Sequence, residues 1–323
     1  MTIFSRNVFT GIPIEYLIDP SKKYVVVSDF FESDLRGGAE LTTEAFLDEC
    51  PNPELVAKVH SANLTVDFLE NNLQRGMHLI LGNFTQVPEE SLGWLVEGTM
   101  VTDYVQYSVI EYDFKLCCYR SLKAHFMQTK QKCNCYNESH GKMIECLYKT
   151  AENVFWMSEK QQALFHKYLP GLAEKTDNQT VVGSAFTVSD LDFIRDLREG
   201  LGSRSIDKTA ILGSGSWIKG VQETELLLSQ QGTPYVKLPQ LEHKQFLMEL
   251  AKYKRFCFKP LDWDTCPRVV IEAKLLGLEL DLNENVLMQE DSWWKDKSVT
   301  EIEDYLYNVN KQKFWSKVVS SNV

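Results

Sequence analysis

The sequence predicts an α/β protein built from two doubly wound domains, and three observations carry that expectation. Short apolar runs rich in β-branched and aromatic residues alternate with stretches of helical apolar spacing along most of the chain. The alternation restarts after "REGLGSRSIDK" at 198–208, a glycine- and charge-rich stretch that reads as a loop. At 323 residues the chain is long enough for two cores of ordinary size.

Strands are expected in order at 23–30 (KYVVVSDF), 78–84 (HLILGNF), 104–113 (YVQYSVIEYD), 153–158 (NVFWMS), 180–186 (TVVGSAF), 208–215 (KTAILGSG), 234–239 (PYVKLP) and 255–260 (RFCFKP). Helices are expected at 41–50, 65–74, 141–151, 158–169, 189–200, 219–232 and 242–253, where apolar residues recur near every 3.6 positions. Strands alternating with helices imply parallel sheets covered on both faces. This places a first domain at 1–183 and a second at 184–298. The remainder, 299–323, reads as a terminal helix or pair of helices, because Ser298 and Glu301 stand at capping-box spacing.

Lys and Arg number 34 against 45 Asp and Glu, a net charge of −11 that repels nucleic-acid phosphates and anionic lipid where no basic patch offsets it. No such patch is evident, so neither nucleic acid nor a bulk membrane is an expected partner. No apolar run reaches the roughly 18 residues of a membrane span, and none of signal-peptide length opens the chain. A cytoplasmic location follows as the expectation, with the eight cysteines reduced.

Two stretches carry candidate chemistry. In "SDFFESDLRGGAEL", Gly37 and Gly38 follow the first strand and precede the first helix, where backbone can approach a ligand closely; any tight turn would use them equally. The G-x-G-x-x-G spacing is missing, which argues against a nicotinamide or flavin cofactor. In "LDWDTCPRVVIEAKLLGLEL" at 261–280, Glu272 sits among Val269, Ile271, Ala273, Leu275 and Leu276, where a carboxylate is costly to desolvate. A salt bridge to Arg268 at i, i+4 is the plain explanation and a bound ligand the functional one.

Here the residues resemble a family. Asp264, seven residues, then Glu272 is similar to the Glu, seven residues, Glu motif of the group 1 retaining glycosyltransferases. "RGGAEL" resembles their N-terminal glycine turn, "NVFWMSEKQQ" the strand that closes their first domain, and "AILGSGSWIKGV" the strand, loop and Lys-Gly segment of their second. The resemblance spans about 23–286 and implies the GT-B fold, two Rossmann-like domains facing a cleft. It further implies transfer of a sugar from a nucleotide-sugar donor, with retention and no required metal or other cofactor, to an unidentified glycan, lipid or small-molecule acceptor. On that basis Glu272 would hold the donor ribose and Asp264 would meet the donor sugar. Lys219 would neutralise the leaving diphosphate, while backbone at Cys266, Pro267 and Arg268, with Gly37 and Gly38, would approach the donor.

The departures from the family pattern leave the acceptor side open. Asp264 is one methylene shorter than the usual Glu, and the Arg that commonly precedes the Lys-Gly segment is missing from "GSGSWIKG". Where many relatives carry a His after the fourth strand, "VIEYDF" offers Glu111 and Asp113, which with His60 are the acceptor-side candidates. Two alternatives stand beside the enzyme reading. One is a noncatalytic nucleotide-sugar-binding scaffold; the other is a metal-dependent transferase using Asp262 and Asp264 as a D-x-D. Finally, Cys117, Cys118, Cys133 and Cys135, with His125 and His140 nearby, could supply a tetrahedral zinc site or be ordinary thiols.

Overall fold

The computed structural model describes residues 4–6, 13–15, 18–102, 105–200 and 206–320; of the loop expected at 198–208, positions 201–205 lie outside them. Strands β1 (Phe4–Arg6) and β2 (Pro13–Glu15) pair antiparallel. A six-stranded parallel sheet follows, made of β3 (Tyr24–Ser28), β4 (Val56–His60), β5 (His78–Leu81), β6 (Gln106–Glu111), β7 (Asn153–Trp156) and β8 (Gln179–Val181) in the order β4-β3-β5-β6-β7-β8. A four-stranded parallel sheet then forms from β9 (Ile206–Ile211), β10 (Tyr235–Lys237), β11 (Tyr253–Phe258) and β12 (Glu279–Leu282) in the order β10-β9-β11-β12.

The helices are α1 (Gly38–Asp48), α2 (Val66–Asn72), α3 (Glu89–Thr102), α4 (Leu122–Thr129), α5 (Ser139–Thr150), α6 (Glu159–Tyr168), α7 (Val188–Gly200), α8 (Val221–Gln230), α9 (His243–Leu250), α10 (Arg268–Leu275), α11 (Val299–Asn308) and α12 (Asn310–Ser320). Every expected strand and helix has a counterpart. Six elements lie outside the expected set: β1, β2, β4, β12, α3 and α4. The tail resolves into the pair α11 and α12, and Ser298 and Glu301 form the reciprocal capping box.

Strand alternation sorts the first sheet's side chains onto two faces. Val25, Val27, Leu79, Leu81, Val109, Val154 and Trp156 join one core with α2, α3, α5 and α6. Tyr24, Val26, Ile80, Ile110 and Phe155 face the other, which is continuous with the core of the second sheet. Burial on both faces is why "YVVV" reads as an unbroken apolar run.

That second face is closed by the last helix. α12 returns to lie beside α1: Phe314 stacks on Phe46 at 4.4 Å and contacts Phe155 at 4.6 Å between ring centroids. Trp315 packs edge-on to Tyr24 at 5.4 Å and donates from Nε1 to the Phe46 carbonyl at 2.6 Å. The C-terminal helix is therefore part of the first sheet's packing although it follows the second sheet in sequence.

In both sheets the second strand lies on one side of the first and the third on the other, so the order reverses between β3 and β5 and again between β9 and β11. Crossovers diverge at such a point, opening a crevice at the carboxyl ends of the strands. Each sheet thus brings one ready-made crevice.

Replacing Trp315 by Ala removes a buried indole and orphans the Phe46 carbonyl. It should cost about 3–5 kcal/mol of stability in urea unfolding. A loss below about 1 kcal/mol would mean that α12 docks only loosely.

Candidate functional site

The carboxyl ends of the two sheets share a cavity of about 860 Å³. The first half contributes Gly37 and Gly38 at the start of α1, Asn83 after β5, and Asp113 and Arg120 after β6. The second contributes Gly213 and Lys219 after β9, His243 at the start of α9, and the segment from Trp263 to Glu272 after β11.

Glycines set the walls at two points. At Gly213 an added Cβ would lie 1.9 Å from the Leu238 carbonyl oxygen, so only glycine lets that loop rest on the end of β10. Gly220 has φ of 64°, and its Cβ would come within 2.3 Å of the Lys259 carbonyl oxygen. This turn presents Lys219, and the Leu261 N–H donates to the Ile218 carbonyl at 2.8 Å to tie it to the segment after β11. Gly38 also lines the cavity, and a Cβ there would meet nothing within 4 Å.

Glu272 is buried on α10, and its carboxylate is answered by an imidazole and a guanidinium. His243 Nε2 lies 2.9 Å from Oε1, and Arg268 Nε lies 3.7 Å from the same oxygen. Burial by itself would raise the Glu272 pKa. The His243 hydrogen bond and charge, with the Arg268 charge, outweigh it and hold the carboxyl below the usual glutamate value. His243 moves the other way: burial works to lower its pKa, but the Glu272 bond and charge raise it above the ordinary imidazole value. No pattern in the sequence links residues 29 apart on separate helices, and His243 escaped the sequence reading for that reason.

Lys219 and Asp264 also meet, Nζ to Oδ2 at 2.6 Å. Asp262 has a different commitment. Its Oδ2 accepts from the Ser121 hydroxyl and from the Lys123 N–H at 2.9 Å, and its Oδ1 from the Trp263 N–H at 2.9 Å. The two acids of the D-x-D therefore serve separate partners, one of them across the gap between the halves.

Around Cys266, Pro267 and Arg268 the cavity wall is the first turn of α10, but the side chains of Cys266 and Arg268 turn to the crossover from the first half. Cys266 Sγ accepts from the Ser184 N–H at 3.2 Å, and burial pushes its thiol up to about 12. The Arg268 guanidinium donates to the Ala185 carbonyl, lies 3.3 Å from Asp190 and sits 3.9 Å over the Phe186 ring.

Of the acceptor-side candidates, only Asp113 lines the cavity, where it pairs with Arg120. Glu111 is fully buried instead. It accepts from the Tyr148 hydroxyl, from the Asp113 N–H at 2.8 Å and from Lys115 at 3.3 Å, and burial pushes its carboxyl up to about 7. On β6 it shares a face with Tyr107 and Val109, so strand alternation carries it into the same core. His60 stacks edge-on to Phe31 at 5.2 Å, with Nε2 3.6 Å from Asp34, and is not among the residues lining the cavity.

No protein-family model matches this sequence, and no curated protein matches it. Solved structures do. Sucrose-phosphate synthase from Thermosynechococcus elongatus aligns over 93% of this chain and 92% of its own at 10% identity, with a TM-score of 0.52. Anabaena HepE in complex with UDP and glucose aligns over 93% of this chain and 97% of its own at 12% identity, with a TM-score of 0.50. The fold is GT-B. The candidate site therefore lies in the gap between the two sheets of a GT-B protein, and no helix among the described residues is long and apolar enough to cross a membrane.

The His243–Glu272 pair has a pH signature in this GT-B cavity. Because the folded-state pKa of His243 is raised, its contribution is fully present below the unfolded value near 6.5 and is lost as pH rises through the folded value. His243→Gln should therefore cost about 2 kcal/mol below pH 6.5 and progressively less in alkali. Thermal unfolding of both proteins from about pH 5.5 to 9 reads this; a pH-independent difference would remove the charge from the account.

Proposed function

We propose that this protein is a glycosyltransferase that moves a sugar from a nucleotide-sugar donor to a glycan, lipid or small-molecule acceptor, with retention and without a catalytic metal. The observation that carries the reading is the joint placement of Gly38, Lys219, Asp264 and Glu272 on one cavity at the facing strand ends of a GT-B fold. The structure of HepE with UDP and glucose supports the nucleotide-sugar class. In this reading residues 1–183 form the acceptor side and 184–298 the donor side.

Glu272 would accept the ribose hydroxyls through Oε2, since His243 and Arg268 both approach Oε1. Backbone at the start of α10 and the Gly37–Gly38 turn would face the phosphates and sugar, each at a helix N-terminus. Lys219 has three donor hydrogens and spends one on Asp264, so it could share its charge with a departing diphosphate while Asp264 stays in place for a sugar hydroxyl. Asp113 and Arg120 would meet the acceptor from the other wall. Catalysis of this kind rests on positioning and on stabilising the leaving group's charge.

A panel of UDP, GDP, ADP and their sugars, followed by thermal unfolding, tests the donor. Ligand at about 100 times its Kd adds roughly 2.7 kcal/mol of stability. The shift is expected in metal-depleted buffer and should not need added magnesium or manganese. A shift that appears only with the cation would favour the D-x-D reading, and binding with no hydrolysis or transfer would favour the noncatalytic scaffold.

Two variants test the roles. Lys219→Ala should reduce turnover by roughly 10²–10³-fold with a smaller change in nucleotide affinity; an unchanged rate would return Lys219 to plain structure. Glu272→Gln should weaken nucleotide binding by about 1.5–3 kcal/mol. Because it also breaks the pair with His243, the comparison is His243→Gln, which leaves the carboxylate intact and should bind nucleotide much more tightly than Glu272→Gln.

A further inference from the structure

Between β6 and α5 the chain makes a long excursion that carries Arg120 and Ser121 to the cavity. Apolar burial anchors its two ends, at Phe114 and Leu116 and at Cys135, but does much less for the middle. Helix α4, in the middle of it, buries none of its side chains, and Phe126 and Met127 are about half exposed (53% and 48%). Arg120 holds a left-handed backbone with φ of 57°, a conformation that persists in a non-glycine residue only when its surroundings enforce it. The hydrophobic core thus holds the ends of this segment and gives α4 little anchorage of that kind.

The same excursion gathers four soft ligands. Cys117, His125, Cys133 and Cys135 each offer one atom, and these atoms all lie within 4.8 Å of one another. His125 Nδ1 is 3.7 Å from Cys117 Sγ and 3.5 Å from Cys135 Sγ. A tetrahedral zinc with Zn–S near 2.3 Å and Zn–N near 2.0 Å places its ligand atoms about 3.5–3.8 Å apart, so these separations are those of a ligand shell. Cys117 and Cys135 are buried while His125 and Cys133 are half-buried. Four protein ligands close the shell, which is the pattern of a structural ion and leaves no position for a substrate.

We propose that Cys117, His125, Cys133 and Cys135 bind one structural zinc ion that pins residues 117–135 against the cavity. The set differs from the four cysteines considered from sequence: His125 takes the place of Cys118. His140 is engaged elsewhere, with Nε2 2.7 Å from the Lys115 carbonyl oxygen. Cys118 is exposed, and its Sγ lies 3.4 Å from Cys135 Sγ, which makes it the rival for Cys135, as fourth ligand or as a disulfide partner.

The ion would staple three points of the excursion: the turn after β6 through Cys117, α4 through His125, and the approach to α5 through Cys133 and Cys135. Arg120 and Ser121 lie inside the first of these loops. Arg120 pairs with Asp113 on the cavity wall, and the Ser121 hydroxyl reaches Asp262 in the other half. Fixing both ends of the 117–125 loop would preorganise these contacts without touching any residue assigned to the donor.

The experiment is elemental analysis of the full chain, made without a metal-affinity tag in zinc-supplemented medium. About one zinc per chain is expected. The double variant Cys133→Ser, Cys135→Ser should fall below about 0.2, and Cys146→Ser, an exposed thiol outside the cluster, should keep the ion. Cys118→Ser should also keep it; loss there, with retention in His125→Asn, would overturn the assigned ligand set. If the double variant does not fold, cobalt exchanged into the parent protein supplies the second readout, as tetrahedral d–d bands with thiolate charge transfer. Parent protein that holds neither zinc nor cobalt overturns the site. So does a thiol count two short of the eight cysteines that traces to a Cys118–Cys135 disulfide.

Discussion

A buried carboxylate is tolerable only where its charge is answered, and the arrangement that answers Glu272 organises much of the second half of the molecule. Arg268 faces Glu272 from one turn earlier on α10 and at the same time holds Ala185 and Asp190, on the crossover that leaves the first sheet. His243 brings the start of α9 to the same oxygen. One charged cluster therefore fixes α9, α10 and the crossover relative to one another. Such clusters do not always add net stability, because desolvation offsets the attraction, but removing one member leaves the others buried and unpaired, which is costly. The orientation of α10 toward the cavity is fixed in this way.

The rest of the cavity follows the same rule. Arg36 pairs with Glu242, Arg120 with Asp113, Lys219 with Asp264 and His243 with Glu272. An anionic ligand entering here does not meet isolated cations; it has to share or replace their carboxylates. The cost differs from pair to pair. Arg36 and Glu242 are about half exposed, and a pair of that kind is worth a fraction of a kcal/mol. Lys219 is a third exposed and keeps two more donor hydrogens than its bond to Asp264 uses, so it can turn to a phosphate without abandoning the acid.

The sequence was most legible where burial on both faces made strands continuous and apolar, as at Tyr24–Ser28 and Asn153–Trp156, and where helices carried a clean amphipathic stripe. Two of the strands not expected from the sequence, β4 and β12, are edges: each is short and partly exposed, and Lys58 and Asp281 interrupt their patterns. Helix α3 was hidden by Gly93 and Gly98; a Cβ at Gly98 would lie 3.1 Å from a Val105 methyl, so the glycine serves close packing rather than a break. Helix α4 has no buried side chain and hence no pattern to read. Lys219, Asp264 and Glu272 stand in sequence motifs and line the cavity, whereas His243 and Arg120 come to it only through tertiary structure. Glu111 and His60 lie away from the cavity lining: Glu111 continues the face of Tyr107 and Val109 toward Tyr148, and His60 turns to Phe31.

Asp262 shows how far the same residue can move in meaning. From sequence it was half of a possible cation site; in the fold it is a clamp, taking the Ser121 hydroxyl and the Lys123 N–H from the opposite half. It belongs to a group of crossings on the inner side of the cavity. Thr265 donates to the Tyr112 carbonyl at 2.6 Å, again from one half to the other, and Ser184 at the start of the second half donates to the Cys266 carbonyl at 2.6 Å. Each of these would leave a poorly hydrated polar group behind if broken, at about 1–3 kcal/mol apiece. The Arg36–Glu242 contact is about half exposed and loses little on parting. The contacts across the gap thus differ in what it costs to part them, the buried Asp262 and Thr265 bonds far more than the exposed Arg36–Glu242 pair.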